Sequence, residues 1–246
     1  MTDSPVAALG IPLIAVLLSL FFVWAVARAA PAASTAERLR RTLLVAGGTA
    51  TWLGLLAVAA LSGALARFDL RPPPYAGMMA ACIAAGLVLG FSRVGGWLSA
   101  GPLWLLVGCQ AFRLPLELVM HRAAEDGLMP SALSFSGYNF DIVTGGTALL
   151  LSLVLTRYRV PRAVLVAWNA LGIAALIAIA AIAVLTAPFL QALGPDQVNT
   201  WVAYFPYVWL PGVMVTGAIL GHVVVSRRLF ADARSERIRL DHHQPA

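Results

Sequence analysis

The stretch 97–121, WLSAGPLWLLVGCQAFRLPLELVMH, decides the fold. Most of it is apolar enough to lie in hydrocarbon, yet Arg113, Glu117 and His121 follow one another at steps of four, with Gln110 three residues earlier. On a helix these positions share one face. An ionised side chain facing lipid costs several kcal/mol. The stretch therefore reads as a transmembrane span whose polar stripe is paired, hydrated or drawn toward the headgroups.

Working outward, apolar runs of spanning length recur on both sides. The first covers residues 7–29. Ala27 and Ala29 imitate a signal-peptide cleavage site, but Asp3 and the absence of a preceding positive charge argue for a true span. The second, 43–66, follows Arg38, Arg40 and Arg41, and the third, 75–91, follows three prolines at 72–74. The stretch 97–120 is the fourth, and the polar, turn-rich 121–138 reads as a loop. A fifth run covers 139–156, a sixth goes from Pro161 to about residue 190, and a seventh covers 201–225 with Pro206 and Pro211 inside it. The expected fold is all-α, a polytopic bundle of seven transmembrane helices over residues 1–229, followed by a short basic tail, 230–246.

Composition agrees. The 246 residues are 60% hydrophobic and 11% charged, with mean hydropathy +0.84. Soluble domains carry roughly a quarter charged residues. The formal charge is +6, and every basic residue is Arg. Arg28, Arg38, Arg40, Arg41, Arg93, Arg157, Arg159, Arg162 and the tail fall on one side of the alternating spans. Arg67, Arg71 and Arg122 fall on the other, offset by Asp69, Glu125, Asp126 and Asp196. By the positive-inside rule the N-terminus lies outside and the C-terminus in the cytoplasm. Trp201, Tyr204, Tyr207 and Trp209 gather at the outer end of the last span, as an interfacial belt does. The basic residues flank apolar runs, so they suit membrane lipids rather than nucleic acid. In the tail, His242 and His243 read as a frayed terminus.

Residue types exclude several functions. A retinal Schiff base needs a Lys, and there is none. A haem needs axial histidines at matched depth, whereas His121 and His222 sit near opposite faces. Cys82 and Cys109 lie far apart inside apolar runs, which suits buried small hydrophobes rather than a disulfide or redox pair. No cofactor and no metal site is expected, and the alternative of a zinc-dependent intramembrane hydrolase would have to recruit Glu117, His121 and Asp141.

The candidate site is built on the fourth and fifth spans. Arg113 and Glu117 are able to pair with each other, and Pro115 between them should bend the helix. The fifth span opens with Asn139 and Asp141, which suit a helix start. Because the two spans are consecutive and antiparallel, Asn139 and Asp141 should also face Arg113, Glu117 and His121 across a gap in the outer half of the membrane. Against this stands a simpler reading, in which Arg113 snorkels to the headgroups and Glu117 and His121 are interfacial. Asn169 on the sixth span and Tyr207 and Trp209 on the seventh complete the expected ligand-binding set. Arg113 would hold an anionic or carbonyl-bearing molecule, Glu117 and Asp141 would set its charge state, and the aromatic rings would wall an apolar part. Transport, ligand binding by a receptor-like or lipid-binding accessory protein, and hydrolysis all remain open, as does an oligomer built on glycine and alanine faces.

Phe112-Arg113-Leu114-Pro115-Leu116-Glu117 and Phe135-Ser136-Gly137-Tyr138-Asn139-Phe140-Asp141-Ile142, with Trp168-Asn169-Ala170-Leu171-Gly172 and the segment 205–211 further on, resemble the core of an uncharacterised family of bacterial integral membrane proteins. The resemblance covers roughly residues 101–228. It implies a bacterial inner-membrane location and a polar cluster shared by the family, and it brings no activity or substrate with it.

Overall fold

The computed structural model describes residues 4–32 and 34–241, and all regular structure among them is helical. Six helices are long and apolar enough to cross a membrane: Pro5–Ala29, Thr35–Leu61, Pro74–Phe91, Leu103–Glu125, Arg162–Leu185 and Leu210–Ser235. A shorter apolar helix, Asp141–Leu155, lies between the fourth and the fifth of these. At 1.5 Å per residue it is about 22 Å long, less than the roughly 30 Å of a bilayer core. Side chains such as Leu9, Leu43, Leu61, Val88, Leu171 and Ile177 are exposed. Apolar surface on that scale needs a hydrocarbon solvent. The protein is a multi-pass helical membrane protein.

Helix α1 (Pro5–Ala29) starts where Ser4 caps it, the Ser4 hydroxyl accepting from the Ala7 N–H, with Pro5 in the first turn. The same hydroxyl donates to Asp126 at 2.7 Å, so the start of α1 and the end of the fourth span meet at one face. Helix α2 (Thr35–Leu61) begins earlier than the apolar run suggested. Ser34 caps it and accepts from the Glu37 N–H, so Arg38, Arg40 and Arg41 are helical. Only Leu56 and Ala60 of α2 are buried. Its attachment includes two indoles: Trp52 donates to the Gly212 carbonyl at 2.8 Å, and Trp209 donates to the Leu53 carbonyl at 3.1 Å.

After α3 (Pro74–Phe91), Ser92 caps a separate short helix, α4 (Arg93–Ser99). The fourth span therefore begins at residue 103, not 97. It consists of α5 (Leu103–Gly108), a 3₁₀ turn (Cys109–Phe112) and α6 (Arg113–Glu125). Pro115 sits in the first turn of α6, where a missing amide hydrogen is tolerated, and the irregularity it demands is taken up by the 3₁₀ turn before it. Because α6 continues to Glu125, His121 and Arg122 are helical rather than loop residues, and Arg113 stands near the middle of the span. The cluster thus lies deeper than expected.

Helix α7 (Asp141–Leu155) runs antiparallel to the fourth span, and α8 (Arg162–Leu185) packs beside it, with the Trp168 indole donating to the Thr147 hydroxyl at 3.1 Å. The last span is irregular at its N-terminal end, as its two prolines predict: a 3₁₀ turn at Trp201–Ala203, a π-helical stretch at Leu210–Val215, then α9 (Thr216–Asp241). Residues 230–241 continue α9 without a break. His242 and His243 lie outside the described residues. In the C-terminal half of α9, Arg227 donates to the Gly90 and Ser92 carbonyls, and Arg228 to those of Ser99, Ala100 and Gly101. Those arginines close the ends of α3 and α4, much as basic groups do at helix C-termini.

Two apolar clusters form the core. One joins Ile11, Leu56, Tyr75, Leu116, Met120, Trp201 and Met214; the other joins Leu106, Val107, Ala148, Leu165, Trp168 and Val224. Trp201 and Tyr207, expected at the membrane surface, are buried in the first cluster, where their rings meet at a tilt with centroids 5.2 Å apart. The cause is the irregular backbone, which folds the aromatic segment inward over α2 and α3.

Candidate functional site

Along the fourth span the polar residues fall between the two apolar clusters, from Gln110 to His121. Their first partner is α7. An added Cβ at Gly145 would sit 2.4 Å from the Leu114 nitrogen and 3.1 Å from the Arg113 Cβ, so only glycine allows this approach. The close crossing sets Asp141, one turn earlier on α7, against Arg113. Arg113 Nη1 donates to Asp141 Oδ1 at 3.1 Å, with the Arg side chain 1% exposed. Snorkelling is thereby ruled out for Arg113. Its partner is Asp141 and not Glu117, because Glu117 is held elsewhere.

Asn139 does the holding. Its Nδ2 donates to Glu117 Oε1 at 2.8 Å and to the Leu133 carbonyl at 3.1 Å, while its Oδ1 accepts from the Asp141 N–H at 3.1 Å. Asn139 therefore stabilises the start of α7 and clamps Glu117 at once, joining the two roles that sequence left as alternatives. The loop before α7 is folded in rather than solvated: Pro130, Ala132, Leu133 and Ser134 are buried. Irregular backbone at such depth is tolerated where protein surrounds it. His121 sits at the rim, its Nδ1 3.2 Å from Ser134 Oγ, its Nε2 3.5 Å from Glu125, and its ring on Phe135 at 4.3 Å.

What this arrangement leaves open is chemically specific. Arg113 Nε and Nη2, Glu117 Oε2, Gln110 Oε1 and His222 Nε2 are buried with no hydrogen-bond partner among the described residues. Nε–H and Nη2–H form one edge of the guanidinium, the parallel pair that matches two oxygens of a carboxylate or phosphate. The same chain shows that edge in use on its surface, where Arg67 Nε and Nη2 reach Asp69 Oδ1 and Oδ2 at 2.9 and 2.8 Å. At Arg113 the equivalent edge is free, while Asn139 holds Glu117 by Oε1.

Not every expected site residue joins this group. Asn169 belongs to a second polar cluster with His222 and Ser226, on the same end of the bundle as the start of α8. Trp209 is bonded to α2, and Tyr207 packs its ring at a tilt against Trp201 in the apolar core. Sequence reasoning missed His222, read as interfacial, although it is 1% exposed. The spacing of His222 and Ser226, one helical turn apart, was the available signal. Gln110 is wholly buried and donates to the Ala218 carbonyl of α9 at 3.3 Å. Among the described residues no three of His, Cys, Asp and Glu come together as a metal-ligand set. A lateral groove of about 410 Å³ opens between α1 and the fourth span, lined by Leu17, Phe21, Trp104, Cys109, Phe112 and Pro115 among others.

No family model, curated protein or solved structure matches the chain. The functional reading therefore rests on the geometry of this site.

Proposed function

We propose that this is a bacterial inner-membrane protein that binds, and moves across the membrane, a small molecule carrying a carboxylate or similar oxyanion, held on the free edge of Arg113. The observation that carries this reading is the buried, unpartnered Nε–H and Nη2–H pair. An ionised donor left without an acceptor in a low-dielectric interior is expensive. An occupant presenting two oxygens relieves both groups together. Glu117 and Asp141 then govern the charge the site tolerates. The residues carrying the cluster are those through which the chain resembles an uncharacterised bacterial membrane-protein family.

The proposal includes seven crossings, with α7 as the short one, the N-terminus outside and the C-terminus in the cytoplasm. Contacts between helix ends support it. Ser4 meets Asp126 on one face, and Asn199 meets Tyr75 at 3.4 Å, while Arg227 meets the end of α3 on the other. The distribution of arginine supports the polarity.

The test is thermal unfolding of the purified protein in detergent with acetate, succinate or inorganic phosphate. A ligand at 100 times its Kd stabilises the folded state by about 2.7 kcal/mol. At least one probe should raise the Tm of the natural protein and leave Arg113→Lys unmoved, since Lys keeps the charge beside Asp141 but lacks the fork. If none of the probes shifts the Tm, or if Lys at 113 responds equally, the reading fails. The lateral groove favours one variation, an amphipathic ligand whose tail lies against Phe112 and Pro115. Octanoate should then stabilise more than acetate.

A further inference from the structure

The inner polar cluster has a defined hydrogen-bond order. Asn169 Nδ2 donates to Ser226 Oγ at 2.8 Å and to the His222 carbonyl at 3.3 Å. Its amide nitrogen is thus committed, and Asn169 Oδ1, 2.8 Å from His222 Nδ1, must be the acceptor. The proton of the neutral ring therefore sits on Nδ1, and Nε2 presents a bare lone pair. That nitrogen is buried and unpartnered. It points into the bundle at Gly172, where an added Cβ would fall 2.7 Å from Nε2 and 3.2 Å from Thr144 Cγ2. Thr144 lies one turn from Asp141 on the buried face of α7. The base is thus packed against α8 where α8 meets α7, the helix that carries the Arg113 partner.

Charge balance supplies the reason for a base there. Arg113 and Asp141 already neutralise each other, so an arriving carboxylate brings a net negative charge into a low-dielectric interior. We propose that His222 is the proton partner of the anion at Arg113: as the anion seats, Nε2 takes one proton from water, and both leave together. The bond formed is Nε2–H and the bond broken is an O–H bond of a hydronium ion, which leaves as neutral water; the Nδ1–H bond to Asn169 persists, and release returns the proton to water at the far side. Ser226, half-buried one turn inward, gives the cluster its nearest link to the inner surface. The charged and titratable groups around His222 are few. The fourth span contributes Arg113 and Cys109, α7 contributes Asp141, α3 contributes Cys82, α4 the exposed Arg93, and α9 itself Arg227, held by the Gly90 and Ser92 carbonyls. The buried face of α8 brings only Asn169 and Trp168 beside apolar groups. Glu117 is the competing proton acceptor.

This inference rests on the anion site proposed above, and one experiment separates the two. Calorimetric titration of the full chain in lipid nanodiscs with acetate, in two buffers of different ionisation enthalpy, counts protons taken up per acetate bound. The natural protein should take up about one, and acetate affinity should rise about tenfold for each pH unit lowered while His222 is neutral when unliganded. His222→Asn keeps a donor for Asn169 and removes the base, so uptake should vanish while weaker binding persists. Uptake that survives in His222→Asn and disappears in Glu117→Gln overturns the assignment. Binding without proton uptake overturns the coupling and spares the anion site; no acetate binding to the natural protein overturns both. Should His222→Asn fail to fold, ¹⁵N-histidine spectra of the natural protein decide, because the buried ring must pass from one bare nitrogen to none when acetate is added.

Discussion

At the scale of single residues, Arg113 and Asp141 separate structure from function. Removing one partner of a buried pair costs about 3–5 kcal/mol, so Asp141→Asn should lower the thermal stability of the detergent-solubilised protein by that order. The double variant Arg113→Met, Asp141→Leu replaces the pair by apolar groups of similar length and should regain most of the loss. It should nevertheless bind no carboxylate. If the double variant is as unstable as the single one, the pair is not what holds α6 to α7. On the surface, the hydrogen bond from Arg67 holds the Asp69 carboxyl below the usual carboxylate range. Its folded-state pKa is depressed, so whatever the pair contributes is present above the ordinary value and fades as pH falls. Arg67→Gln should return Asp69 to the ordinary range, read by carboxyl NMR. The steps of four from Arg113 to His121 were legible in the sequence, and so was the approach of Asn139 and Asp141. The choice of partner was not, because nothing in the fourth span alone reveals that Asn139 holds Glu117.

Among elements, the contact of α7 with α6 depends on one glycine and not on its neighbour. Gly145→Ala would press a methyl to 2.4 Å from backbone at Leu114, whereas Gly146 has nothing within 4 Å of such a methyl. Overpacking of this kind costs about 1–3 kcal/mol. The first change should lower the unfolding temperature and loosen carboxylate binding, and the second should move stability by no more than about 0.5 kcal/mol. Equal effects would mean that the close approach is not limiting. Helix identities were readable from apolar runs, while their ends were not. Residues 97–99 belong to α4 because Ser92 caps it, and α6 outlasts its apolar stretch because Ser134 beside His121 and Ser4 on Asp126 give its polar end partners. Such partners come from distant sequence, which periodicity within one segment does not register.

For the molecule as a whole, the alternation of arginine sets an expectation of which ends share a face; in the fold, Ser4 meets Asp126 and Arg227 meets the end of α3. In a variant with Cys82 and Cys109 replaced by Ala, single cysteines at Asp126 and Ser235 should react with an impermeant maleimide from opposite sides of sealed vesicles. Reaction from the same side would remove one crossing, and α7 would be the one to go. The separation of 28 residues between Arg113 and Asp141 also bears on how the chain is made. At roughly 5–20 residues per second of synthesis, the guanidinium emerges from the ribosome about one to six seconds before its counterion exists. Until then only Glu117, four residues on, is at hand to neutralise Arg113, so the fourth segment and α7 are expected to enter the membrane as a hairpin, with the counterion changing hands as α7 arrives.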